Sequence, residues 1–145
     1  MTKKDLTIVF DFDGTLNVYT DWRGHGNIGE EKFDENGEPY VDLVKWFFER
    51  GWTCKLATTR LNPYPFGEGL MDEPDEAVVS GEAKEHIMDW LKKHKILKCF
   101  KEISGRKVYG DGYIDDRNIK GLETIDEIKE WAIDKEKENA SSTPK

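Results

Sequence analysis

Two aspartates, Asp11 and Asp13, close a short apolar run near the start of the chain. Side chains alternate along an extended chain, so carboxylates two residues apart can face the same crevice. A carboxylate can attack phosphorus, and a second one can act first as a general acid and then as a general base. The pair alone is a weak signal, because 30 of the 145 residues are acidic and such pairs often form solvated turns. The run Gly14-Thr15-Leu16 that follows predicts a sharp return of the chain where a reacting group needs room.

Three further groups of polar residues follow in order along the chain. They are Thr58-Thr59-Arg60, Lys107 and Asp115-Asp116. Each has a plain structural explanation when taken singly: a β-forming threonine, a solvated turn lysine, or the cap of a turn after a strand. Taken with the first pair, three of the four groups close apolar strands, and this order argues against coincidence.

These four groups resemble the four motifs of the haloacid dehalogenase superfamily. The string Val9-Phe10-Asp11-Phe12-Asp13-Gly14-Thr15-Leu16 resembles the first motif, and Lys55-Leu56-Ala57-Thr58-Thr59-Arg60 resembles the second, an apolar strand that ends in a phosphate-binding hydroxyl. Lys107 resembles the third-motif lysine, and Tyr113-Ile114-Asp115-Asp116-Arg117 resembles the fourth motif, an apolar strand that ends in paired aspartates. The resemblance covers roughly residues 6 to 122, and the spacing from Lys107 to Asp115 is similar to that of small, nearly capless members.

The resemblance implies a phosphatase that works through an aspartyl-phosphate. Asp11 would be the nucleophile, and Asp13 would be the general acid and base. Lys107 would neutralise the substrate phosphate and hold Asp11, while the Thr58 hydroxyl would donate a hydrogen bond to a phosphate oxygen. Further candidates for binding the substrate phosphate are Thr59 and Arg60.

The same resemblance implies a magnesium site. An anionic nucleophile is repelled by an anionic phosphate, so a cation must screen the approach. Mg²⁺ prefers oxygen ligands and typically binds one or two carboxylates together with the substrate phosphate. The implied ligands are Asp11, the backbone carbonyl of Asp13, and one of Asp115 and Asp116, with the choice between the last two left open.

Other functions remain compatible with these residues. A phosphotransferase or phosphomutase would use the same groups and differ only in its acceptor, an alcohol instead of water. A regulatory domain that binds metal or phosphate without turnover is the alternative outside enzymes. A two-component receiver is disfavoured, because its accepting aspartate ends a later strand. A dehalogenase is disfavoured, because carbon chemistry needs neither the Asp13 acid nor the cation.

The elements that must position these residues alternate between strand and helix. This order predicts right-handed parallel crossovers and a three-layer α/β/α sandwich with a mostly parallel sheet. The predicted strands cover residues 6–10, 52–58, 98–103 and the surroundings of 113–114, and the predicted helices start near Pro39, Ser80 and Thr124. The first strand has no polar alternation, which predicts burial on both faces. The second helix should have one face with Ile87, Trp90 and Leu91. The third should start with a reciprocal cap between Thr124 and Glu127, and its expected inward residues are Ile125, Ile128, Trp131 and Ala132. Ligands of such sheets bind beyond the carboxyl ends of the strands, where the candidate residues fall.

The domain organisation follows from the same pattern. We expect one catalytic domain over residues 1–136, a helix that frays after about Asp134, and a flexible tail over 137–145. Inserts at 17–38 and 61–79 are too short for a full cap domain. The first predicts a loop with a small hairpin, and the second is a candidate lid. The site should therefore be open.

Two cysteines, Cys54 and Cys99, lie in apolar surroundings that each predict a strand. Cysteine in such a setting is typically a buried small hydrophobe. We expect buried free thiols in place of a disulfide.

The composition limits the classes of partner that the chain is expected to bind. The formal net charge is −8, and an acidic surface opposes binding to long nucleic acids because phosphate contacts supply most of their non-specific affinity. We expect a small phosphorylated substrate: a nucleotide, a sugar phosphate or the phosphorylated end of a larger molecule. No apolar run approaches the roughly 20 residues that cross a bilayer, and no leader pattern opens the sequence. These features predict no membrane partner and a cytoplasmic location.

Overall fold

A parallel sheet of four strands forms the centre of the described structure. The computed structural model describes residues 5–18, 28–58, 84–105, 109–115 and 124–141. In these ranges the strands are β1 (Thr7–Asp11), β2 (Thr53–Ala57), β3 (Phe100–Ser104) and β4 (Gly112–Ile114), in the order β3-β2-β1-β4. All three neighbouring pairs are parallel. The predicted α/β class with a parallel sheet is therefore confirmed.

Helices alternate with these strands along the chain. They are α1 (Tyr40–Glu49), α2 (residues 84–93) and α3 (Ile125–Ser141). Pro39 precedes α1 as its N-cap and has the extended backbone that is usual there (φ −79°, ψ 134°), so the helix begins one residue after it. The predicted cap at Ser80 and the whole insert 61–79 lie outside the described residues.

The first strand is buried on both faces, as its run of β-forming residues without polar alternation predicted. Ile8 and Phe10 are fully buried, and Val9 on the opposite face is 2% exposed. Phe10 packs edge-to-face on Phe47 of α1, with 5.9 Å between ring centroids. Thr7 at the start of the strand is polar but is also buried, with 9% exposure. A strand covered on both sides is mostly apolar, so β1 holds a fixed place in the core.

The turn after β1 packs against α2. Phe12 is fully buried and meets the Trp90 ring edge-to-face at 5.2 Å. The Trp90 indole N–H donates to the carbonyl oxygen of Gly29 at 3.0 Å, so α2 also holds the first insert. The predicted inward face of α2 is confirmed: Ile87 and Leu91 are fully buried and Trp90 is 9% exposed.

The start of α3 has the predicted reciprocal cap. Glu127 N–H donates to the Thr124 hydroxyl, and the Glu127 carboxylate accepts from the Thr124 N–H. Ile125 and Ala132 face inward as predicted, but the inward placement of Trp131 is wrong, because this side chain is 36% exposed. Its ring lies over β4, where a β-carbon at Gly112 would overlap it.

Two other details differ from the sequence prediction. Cys99 belongs to a 3₁₀ turn (Leu97–Cys99) that leads into β3, so its predicted strand placement is wrong. α3 runs to Ser141, past Asp134. In this part of the helix Glu136 accepts hydrogen bonds from the Arg50 guanidinium and, at 2.8 Å, from the Trp52 indole N–H. Contacts with α1 and its following turn thus lie in the charged part of the helix.

Both cysteines are buried and carry free thiols, as predicted. Burial, together with the neighbouring Cys99, raises the pKa of the Cys54 thiol to about 12. Cys54 therefore stays protonated at neutral pH and behaves as a small apolar residue.

The first insert returns on itself through antiparallel bridges. Asn17 pairs with Glu31, and Phe33 pairs with Pro39, so the described part of residues 17–38 contains the pairing of a small hairpin. In the part of the chain described by the structure, no helix is both long and apolar enough to cross a membrane.

Candidate functional site

The carboxyl ends of the strands meet at one edge of the sheet. Asp11 is the last residue of β1 and pairs with Ala57, the last residue of β2. Thr58 directly follows Ala57. On the other side, Phe10 pairs with Ile114 of β4, so the following residues, Asp11 and Asp115, are level on neighbouring strands. Adjacent strands lie about 4.8 Å apart. The fold thus places Asp11 between a threonine and a second aspartate that come from distant parts of the chain.

The two aspartates of the first pair have similar exposure. Asp11 and Asp13 are half-buried, whereas Phe12 between them is fully buried in the core. That both carboxylates face one crevice stays a prediction from the alternation of side chains along an extended chain.

The chain returns sharply after Asp13, as the Gly-Thr-Leu run predicted. The carbonyl oxygen of Phe12 accepts from the N–H of Leu16 at 3.0 Å, and Gly14 N–H donates to the carbonyl oxygen of Asn17, also at 3.0 Å. Gly14 has a φ of 81°, in the left-handed region that glycine adopts without a steric cost. The turn is therefore closed by its own backbone within a few residues of the carboxylates.

Thr58 is fixed between two strand ends. Its N–H donates to the carbonyl oxygen of Ser104 at the end of β3 (2.9 Å), and the residue is only 3% exposed. Asp115 is half-buried. A threonine held in this way keeps its hydroxyl within a limited range of positions at the edge beside Asp11.

A lysine from the first insert reaches this turn, and sequence analysis missed it. The Lys32 ammonium donates to the carbonyl oxygen of Gly14 at 2.8 Å. No motif marks Lys32, which lies among Glu30, Glu31 and Asp34 in an acidic segment. Only the folded path of the insert brings this cation beside the carboxylate pair.

Two polar side chains are also buried in the same turn. Thr15 and Asn17 are fully buried, and among the described residues neither the Thr15 hydroxyl nor the Asn17 amide has a hydrogen-bond partner. Buried polar groups are costly without a partner, and water often supplies one. The sequence prediction treated Asn17 only as the start of a loop.

Several predicted site residues lie outside the described residues: Thr59, Arg60, Lys107 and Asp116. Within the described ranges, no group of three or more His, Cys, Asp or Glu side chains is arranged to hold a metal ion. The described donors near the edge are the carboxylates of Asp11 and Asp115 and the backbone carbonyl of Asp13. Their chemistry fits Mg²⁺, which takes oxygen ligands and needs only one or two carboxylates from the protein.

The arrangement has the groups for nucleophilic attack followed by proton transfer. One carboxylate belongs to the last residue of a buried strand, and a second follows two residues later. A hydroxyl and a further carboxylate flank the first on the two neighbouring strands.

Comparisons with known proteins leave the family open. A scan of protein-family models finds no match, and neither the curated proteins nor the solved structures give a significant match. The resemblance of the four motifs to a known superfamily therefore stays a prediction that rests on the residues themselves.

Proposed function

We propose that this chain is a Mg²⁺-dependent phosphomonoester hydrolase of the haloacid dehalogenase type, with Asp11 as its nucleophile. The observation that carries the proposal is the register of the sheet, which makes Asp11 and Asp115 level on neighbouring strands and sets Thr58 on the other side of Asp11. Three of the four motif positions thus meet at the edge where parallel sheets bind ligands. The proposal includes the three-layer α/β/α arrangement of that superfamily.

The proposed reaction has two displacements. In the first, a carboxylate oxygen of Asp11 attacks phosphorus, the ester P–O bond breaks, and Asp13 gives its proton to the departing alcohol. In the second, Asp13 takes a proton from water, the water oxygen attacks the aspartyl-phosphate, and the bond between phosphorus and Asp11 breaks. Inorganic phosphate leaves, and both carboxylates return to their initial states.

The remaining groups bind and orient the phosphate. The Thr58 hydroxyl donates to a phosphate oxygen, and Lys107, Thr59 and Arg60 have the same function by resemblance. Bound Mg²⁺ supplies screening of the negative charge on the nucleophile and the transferring oxygens. Asp11, the Asp13 carbonyl, and Asp115 or Asp116 hold it. Substrates are small phosphorylated compounds that enter an open edge.

The first test is turnover of p-nitrophenyl phosphate with Mg²⁺. Asp11→Asn keeps the shape of the side chain but removes the nucleophile, so we expect a loss of kcat on the order of a thousandfold or more. The matched control is Asp42→Asn on α1, whose side chain is 64% exposed. This variant should retain the native rate.

Two further results would decide between the possible outcomes. Chelation of Mg²⁺ should abolish turnover, and beryllium fluoride with Mg²⁺ should inhibit by occupying Asp11. An Asp11→Asn variant that turns over at the native rate would exclude the proposed mechanism. Binding of beryllium fluoride without any turnover would instead favour a regulatory domain.

A further inference from the structure

Lys32 is fixed against the turn that carries Asp13. Its ammonium donates to the Gly14 carbonyl oxygen at 2.8 Å, and its side chain spans from the insert to this turn. Its backbone is held on both sides as well: the N–H donates to the carbonyl oxygen of Leu16, and the carbonyl oxygen accepts from the N–H of Tyr40, both at 2.9 Å. Lys32 is half-buried. The ammonium therefore has little freedom to leave the turn.

This contact completes the support of the two peptide groups around Gly14. The N–H of Gly14 donates to the Asn17 carbonyl oxygen, and that N–H belongs to the same planar peptide group as the Asp13 carbonyl. The next peptide group is held through its carbonyl by Lys32. The same peptide group is also held through the Thr15 N–H, which donates to the carbonyl oxygen of Phe12 at 3.3 Å. Gly14 has a φ of 81°, a conformation that glycine adopts without steric cost, so the orientation of Asp13 depends on these three hydrogen bonds.

Of these three hydrogen bonds, the one from Lys32 has a charged donor. Hydrogen bonds from an ammonium are shorter and stronger than those between neutral groups. The ammonium in addition brings a positive charge to a turn that follows two carboxylates and that would receive an anionic substrate.

We propose that Lys32 is a positioning residue, which holds the Gly14 turn so that Asp13 and its carbonyl keep their working orientation. This inference rests on the proposed phosphatase function. Lys32 acts through the turn, so its removal lowers kcat more than it raises KM.

The experiment compares Lys32→Met, Lys32→Gln and Lys32→Arg with Lys135→Met. Lys135 is a surface lysine on α3 that pairs with Glu138, so its substitution makes the same change of charge away from the site. We expect Lys32→Met to lose about tenfold in kcat with little change in KM, as befits one charge-assisted hydrogen bond. Lys32→Arg should recover most of the loss, and Lys135→Met should show none. Lys32→Gln, which keeps a donor without the charge, should fall between, and it replaces Lys32→Met if that variant does not fold.

A second measurement separates this inference from the proposed function. Amide hydrogen exchange at Gly14 and Asn17 should be faster in Lys32→Met than in Lys135→Met, whatever the activity. If the native chain is active, and Lys32→Met and Lys135→Met have equal kcat and equal exchange rates, the positioning role of Lys32 is wrong. The proposed phosphatase function would not be affected by that result. A native chain without turnover would overturn the phosphatase and the catalytic role together, and the exchange data would then show only whether Lys32 holds the turn.

Discussion

At the scale of a single residue, the fold restricts the side chain of Thr58 before a substrate binds. Its backbone N–H is bound to Ser104, and the residue is 3% exposed, so the protein orders this side chain before any substrate arrives. Ordering a donor in advance removes part of the entropic cost of binding an anion. The same reasoning applies to Lys32, whose ammonium is ordered by its bond to Gly14.

Replacing Thr58 by valine should therefore reduce activity without changing the shape of the side chain. A hydrogen bond to a charged group contributes about 1.5–3 kcal/mol, which corresponds to roughly ten- to hundredfold in kcat/KM. The matched control is Thr53→Val, because Thr53 begins the strand that Thr58 follows. Equal kcat/KM in the two variants, with equal free energies of unfolding, would show that the Thr58 hydroxyl has no part in phosphate binding.

Asp34 links the first insert to α3 at the scale of the elements. One carboxylate oxygen accepts from the N–H groups of Asn36 and Glu38, and the other accepts from the N–H of Ile125 at 2.9 Å. Ile125 is the first residue of α3, where N–H groups have no partner within the helix. The insert that carries Lys32 is thereby fastened to a helix from the far end of the chain.

This contact makes part of the stability depend on pH. Burial alone would raise the pKa of Asp34, but hydrogen bonds from the backbone N–H groups of Ile125, Glu38, Asn36 and Gly37 outweigh it, so the pKa lies below the ordinary value of 3.8. The folded state therefore prefers the ionised carboxylate. Its contribution is complete above the unfolded pKa and is lost as the pH falls through the lower folded value.

Asp34→Ala should destabilise the protein by about 1 kcal/mol at neutral pH, the usual effect of losing a helix cap. The difference from the native chain should shrink below about pH 4, where the native carboxylate becomes protonated. Urea unfolding at pH 7 and pH 3 measures the free energy of unfolding of both chains. Glu35→Ala, at the exposed neighbouring position, is the control. A difference that stays constant between the two pH values would mean that ionisation of Asp34 does not contribute.

The sequence alone predicts much of the molecule as a whole. A run of β-forming residues without polar alternation predicts a strand buried on both faces, which is what β1 is, and residues that end parallel strands must meet at one edge. This pattern predicts that Asp11, Thr58 and Asp115 lie near one another, and the register of the sheet brings their backbones to the same edge. Such patterns report which residues avoid water, but they do not report which element covers them.

The differences arise where distant elements meet. Trp131 lies over the edge strand β4 and stays partly exposed, and α3 continues past Asp134, where Glu136 contacts the end of α1. Lys32 likewise reaches Gly14 only through the path of the insert. None of these contacts leaves a local pattern in the sequence, because each depends on two segments whose relative position the whole fold sets.

A metal site that depends on the whole fold should couple ion binding to unfolding. Asp11 and Asp115 are level only because β1 and β4 are paired, so an unfolded chain does not bring them together. An ion that binds the folded state stabilises it by RT ln(1 + [Mg²⁺]/Kd), which is about 2.7 kcal/mol at 100 times Kd. We therefore expect Mg²⁺ to raise the free energy of unfolding of the native chain.

The increment should vanish in Asp11→Asn and in Asp115→Asn, while Asp42→Asn on the surface of α1 should keep it. Two ligands of one ion act as a unit, so the double variant should lose no more of the Mg²⁺ increment than either single variant. Urea unfolding followed by tryptophan fluorescence, with and without saturating Mg²⁺, gives all five values. Retention of the full increment in Asp115→Asn would remove this residue from the metal site and leave Asp116 to complete it. Retention of the full increment in Asp11→Asn would mean that the Asp11 carboxylate does not bind the ion.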